Sequence, residues 1–144
     1  MRTWFGRVFV AAAMLALFGL SAARADVADA DREAIRGIIS GQIEAFQRDD
    51  GATAYGFASP TIQGLFPSID RFMAMVRSGY QPVYRPRSVT FGPVVEAARG
   101  PEQRVFVTGP DGRNWVAIYS LQKQPDGSWR INGCVLVEDT GETI

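Results

Sequence analysis

Two Pro-Asp-Gly triplets, Pro110-Asp111-Gly112 and Pro125-Asp126-Gly127, constrain this chain more than any other feature. In each, Pro presets φ for the first turn position, Asp caps the turn, and Gly supplies positive φ. They separate three runs of strand character, Gln103–Thr108, Asn114–Lys123 and Ser128–Val137, and a fourth, Val89–Ala97, precedes them. Connections this short force neighbouring strands to run antiparallel, so the C-terminal half is predicted to be a four-strand meander.

The third run is apolar on both faces. Trp115, Ala117, Tyr119 and Leu121 alternate on one side, and Val116 and Ile118 lie on the other. Such a strand needs cover on both sides, and helices from the preceding half can cover only one. What lies against the other face is the functional question.

Upstream, 30–48 has helical periodicity. Asp29 is a candidate N-cap, and Asp31 and Glu33 place negative charge where the helix dipole favours it. Ile35, Ile38, Ile39, Ile43 and Phe46 form an apolar stripe about 140° wide. Gln42 falls within that stripe, where a buried amide must find a partner or line a cavity. Asp49-Asp50-Gly51 ends the helix and caps a short one running to Ala58, which Ser59-Pro60 breaks. Thr61–Phe66 reads as a turn with some extended character. Ser68 caps a third helix, Ile69–Ser78, with Ile69, Phe72, Met73 and Val76 inward. Tyr80–Pro86 reads as an extended, Pro-restricted crossing into the sheet. The fold class is therefore α+β, N-terminal helices packed on an antiparallel four-strand sheet.

At the N-terminus, Arg2 and Arg7, the apolar run Val8–Leu20 and the small-x-small triplet Ala23-Arg24-Ala25 have the form of a cleaved secretory signal peptide over residues 1–25. The apolar run holds 13 residues, short of the roughly 20 that span a bilayer. The expected mature product is a single domain over 26–144, periplasmic or secreted, with no membrane span. The formal charge of zero includes three leader arginines. Without them the domain carries 12 bases against 15 acids, with no basic run to favour nucleic acid. The single cysteine, Cys134, precludes an internal disulfide and reads as a small buried side chain.

The chain contains no histidine, which removes Ser-His-Asp and Cys-His arrangements and every His-ligated metal site. Its glycines have neither the GxGxxG nor the Walker spacing. No cofactor or metal is expected, and no residue is assigned a catalytic role. An enzyme built from these residues needs a buried carboxylate beside a Tyr donor. Asp70 and Glu96 are the acids on offer, and Tyr55, Tyr84 and Tyr119 the donors.

The arrangement of three helices and then a sheet ending in Asp126-Gly127-Ser128-Trp129-Arg130-Ile131 resembles the nuclear-transport-factor-2-like (SnoaL and ketosteroid-isomerase-like) cone fold. More closely, Ser59-Pro60-Thr61-Ile62, Phe72–Gly79 with Tyr80, and Tyr84-Arg85-Pro86 resemble a secreted bacterial family, domain of unknown function 4864. The resemblance implies the curved-sheet fold and an exported state, and it brings no activity. The histidine common in the last strand of many relatives is absent, with Asn132, Gly133 and Cys134 in that region.

Taken together, these residues describe a domain that binds a small apolar or amphipathic ligand, or a protein partner, without catalysis. Gln42, Tyr55, Tyr80, Tyr84, Arg85, Trp115 and Tyr119 are the candidate ligand-binding residues, with Arg85 favouring a carboxylate or phosphate. The alternatives are a carboxylate/Tyr-dependent isomerase, dehydratase or hydrolase, and a structural module in which one sheet face pairs with a second copy as a homodimer.

Overall fold

In the computed structural model, which describes residues 27–141, the two Pro-Asp-Gly triplets make the turns that their chemistry dictates. Gly112 and Gly127 take φ of 84° and 87°, and the Asp111 and Asp126 carboxylates accept from the backbone N–H of Arg113 and Ser128. The strands that they join are β1 Ser88–Ala97, β2 Gly100–Thr108, β3 Asn114–Lys123 and β4 Trp129–Glu138. All neighbours are antiparallel, in the order β1-β2-β3-β4. The leader reading, residues 1–25, lies outside the described residues.

Among the described residues five helices precede the sheet: α1 Asp29–Gln47, α2 Gly51–Gly56, α3 Pro60–Leu65, α4 Ile69–Gly79 and α5 Gln81–Tyr84. Two of them correct the sequence reading. Ser59-Pro60 starts a helix, and the short helix expected to run to Ala58 already ends at Gly56. The Ser59 hydroxyl accepts from the N–H of Ile62, and Pro60 sits at the first helical position, where no N–H is required and its fixed φ suits the helix. The run 61–66, read as an extended turn, is thus α3 and its C-cap. Likewise the crossing 80–86 is not extended throughout, because Pro82 lies in the first turn of α5, a position that tolerates proline. The N-cap of α1 is Ala28 instead of Asp29, which is the first helical residue.

The end of α1 is also built differently from expectation. The left-handed residue is Asp49, with φ of 54°, and Gly51 already belongs to α2. Asp50 N–H bonds to the Ala45 carbonyl and Asp49 N–H to that of Phe46, the two bonds of a Schellman close. Asp tolerates this backbone better than most side chains. Here its carboxylate is also held by the Tyr84 hydroxyl and, at 2.9 Å, by Arg85.

The core lies between the helices and the inner sheet face. Ile35, Ile39, Ala45, Val105 and Ala117 are wholly buried. After α2, Phe57–Ser59 pairs in parallel with β4. Ser59 donates its N–H to the Ile131 carbonyl, and Ile131 donates to Phe57, each at 2.8 Å. This pairing covers the start of an otherwise open strand edge and anchors α3 beside the sheet. The outer face carries Phe106, Val116, Ile118, Val135 and Val137 around the centre of β2–β4. Val116 is shielded by its cross-strand neighbours, whereas Val135 and Val137 are 60% and 47% exposed.

Candidate functional site

On the inner side the packing is incomplete. A cavity of about 250 Å³ opens between the helices and the sheet. Gln42 and Phe46 reach it from α1, Phe72 and Val76 from α4, and Ile62 and Phe66 from α3 and its C-cap. The sheet contributes Tyr119, Ile131 and Cys134. The volume lies at or just below the lower end of the range for small-molecule sites, about 300–1,000 Å³, so the space suits a small ligand. No lining residue is charged.

Three polar side chains interrupt the apolar wall. Gln42, only 4% exposed, donates its amide to the Ala54 carbonyl at 3.2 Å. Both readings of this residue therefore apply: it has a backbone partner and it lines a cavity. The Tyr80 hydroxyl donates to the Cys134 carbonyl at 3.1 Å. The hydroxyl of Tyr119 is buried and makes no hydrogen bond, and the thiol of Cys134, its cross-strand neighbour, is the polar group beside it. A thiol is a weak acceptor. Desolvation pushes the Tyr119 hydroxyl well above the ordinary tyrosine value and the Cys134 thiol up to about 12. Both groups stay protonated at neutral pH, which leaves Cys134 without the thiolate that reactivity requires.

The remaining sequence candidates stand apart from this space. Tyr84 and Arg85 form a cluster with Asp49 and Arg77 at the end of α1. Arg85 stacks on the Tyr84 ring at 4.0 Å and donates to the Phe46 carbonyl, and Arg77 reaches the Tyr84 hydroxyl at 3.3 Å. With these contacts Arg85 serves as a C-terminal cap for α1, a role that long cations near a helix end often take. Tyr55 holds the wall instead of forming it: its hydroxyl bonds to the carbonyls of Gln63 and Phe66 at 3.1 and 2.6 Å. Trp115 lies on the inner face beyond the cavity, under the Arg113 guanidinium at 4.9 Å.

The acids of the enzymatic alternative, Asp70 and Glu96, are both exposed and lie off the cavity. Among the described residues no cluster of His, Cys, Asp or Glu has the makings of a metal site, and no helix is long and apolar enough to cross a membrane. Sequence reasoning missed Gln103, which is 2% exposed and donates to the carbonyls of Gly92 and Arg104 at the β1 bulge. The interruption Gly92-Pro93 within a strand run was its available signal.

The family model of Domain of unknown function (DUF4864) matches residues 28–144, which takes in every element described above. The chain belongs to this family. No curated protein matches it. In this member of DUF4864, both walls of the cavity come from the matched residues, Gln42 and Phe46 from the first helix and Cys134 from the last strand.

Proposed function

We propose that this domain binds one small apolar or amphipathic molecule in the cavity between the helices and the inner sheet face, and that it does so after export. The observation that carries the binding reading is the cavity itself, apolar almost throughout and crossed by a few fixed polar groups, the composition typical of ligand sites. Gln42, Tyr80 and Tyr119 are the proposed contacts. Tyr55, Tyr84 and Arg85 act at a distance by holding α1, α3 and α5 in place. Export is supported by the leader pattern of residues 1–25. The helices-then-meander order supports placing the domain among the nuclear-transport-factor-2-like cone folds.

Native mass spectrometry of the protein purified from its own periplasm is expected to show an adduct that organic solvent removes. Titration with the neutral fluorophore N-phenyl-1-naphthylamine is expected to saturate at one probe per chain, and Met75→Trp, at a half-buried lining residue, is expected to abolish it. An empty mass together with unsaturable probe binding in the parent protein would reject the reading.

The outer face favours a second, compatible reading. Val135 and Val137 extend an apolar strip beside Ile118 and Phe106, bordered by Arg104 opposite Ile118. An exposed strip of this kind marks an association surface. A second copy presenting the same strip is the partner that we propose, because a two-fold pairing needs only self-complementarity.

A further inference from the structure

The cavity contains one group whose bonding is unfinished. Tyr119 is 1% exposed, and its hydroxyl has no hydrogen-bond partner. Buried hydroxyls are nearly always paired, and each exception calls for an explanation. Tyr80, its neighbour on the cavity wall, is already committed to the Cys134 carbonyl, and one N–H of the Gln42 amide is committed to Ala54. A ligand entering the cavity therefore meets the unpaired Tyr119 hydroxyl and the remaining amide groups of Gln42, no charge of either sign, and otherwise apolar walls.

We infer that the ligand is an uncharged molecule with an apolar skeleton and one acceptor, a ketone, ester or ether oxygen, which takes the hydrogen bond of Tyr119. This rests on the binding reading above and names its chemistry. Polarity decides it. Tyr119 stays protonated, so it donates. An anionic ligand would lose its hydration and meet no cation, and a buried charge without a partner is strongly disfavoured. The sequence expectation of a carboxylate or phosphate beside Arg85 does not apply to this cavity, because that guanidinium is bonded to Asp49 and Phe46 elsewhere. An alkane would leave the hydroxyl orphaned, so the acceptor is what distinguishes the preferred ligand from any other apolar molecule.

The test uses three naphthalenes of matched shape, carrying an ethyl, an acetyl or a carboxylate group, as competitors of bound N-phenyl-1-naphthylamine. For the parent protein the acetyl compound is expected to bind about threefold to tenfold more tightly than the ethyl compound, the net worth of one hydrogen bond, and the carboxylate weakest. Tyr119→Phe is expected to erase the acetyl preference, read as the ratio of the acetyl to the ethyl affinity. In the parent protein the infrared carbonyl band of the bound acetyl compound is expected below its position in hexane, a readout that needs no variant. Probe binding with equal acetyl and ethyl affinities in the parent, an acetyl preference that survives Tyr119→Phe, or a carboxylate that binds best overturns this inference and leaves the binding reading standing. Failure of the probe and all three competitors to bind overturns both.

Discussion

Asp49 shows how a single residue settles a helix end. It adopts a backbone conformation that glycine or asparagine usually fills, and the Tyr84 hydroxyl and the Arg85 guanidinium clasp its side chain. The Tyr84 hydroxyl bond, the largest influence, acts with the nearby arginines to hold its carboxyl below the ordinary aspartate value, against a desolvation that raises it. The sign of the linkage follows. A depressed folded-state pKa contributes stability that is present above the unfolded value, about 3.9, and lost as pH falls through the folded one. Asp49→Asn keeps a side chain suited to the left-handed region and removes the charge. It is expected to melt at a lower temperature than the parent at pH 6, with the gap closing as pH falls below about 4. Melting curves at pH 6, 4 and 3 check this, and a gap that stays constant would reject it. The acid limb will not vanish in the variant, because Asp50 and Asp126 are lowered as well, chiefly by their hydrogen bonds to Thr53 and Ser128.

At the scale of elements, the short helix α3 matters most. It carries Ile62 and leads into Phe66, so its placement decides whether the cavity has a wall on that side. Ser59 does the placing. Its wholly buried hydroxyl accepts from Ile62 N–H at 3.2 Å and donates to Asn132 Oδ1 at 2.7 Å, and its backbone pairs with Ile131. Ser59→Ala removes an N-cap and strips a partner from Asn132, and is expected to cost about 2–3 kcal/mol. Ser68→Ala removes only the exposed cap of α4 and is expected to cost about 1 kcal/mol. Urea midpoints of the two variants provide the comparison, and equal losses would show that the Asn132 bond contributes nothing. The sequence shows the Ser-Pro pair plainly, and such a pair can stop one helix or open another. Which role dominates depends on whether the next residues find a surface to cover, and that surface is supplied by β4, more than 60 residues away.

For the whole molecule, the two faces of the sheet carry different consequences. The inner face is covered by helices that leave a cavity, and the outer face keeps Val135 and Val137 in solvent. If two copies pair through the outer strip, the protein is expected to be a dimer by light scattering at micromolar concentration. Val135→Glu is then expected to yield a folded monomer, because like charges would meet across a two-fold axis in an apolar setting. A monomeric parent protein would remove the pairing. The sequence by itself determined the α+β class, the strand order and the stripe of α1, since turns closed by Pro-Asp-Gly and side chains repeating every two or every 3.6 residues act within a few residues of one another. It also placed Gln42, Tyr80 and Tyr119 among the candidates without showing that they share one cavity. Only the tertiary structure decided that Tyr84 and Arg85 belong to the clasp at the end of α1 and that Tyr119 is left with a free donor. Those outcomes depend on which polar groups meet across distances of 35 residues or more along the chain, and a local pattern carries no trace of such meetings.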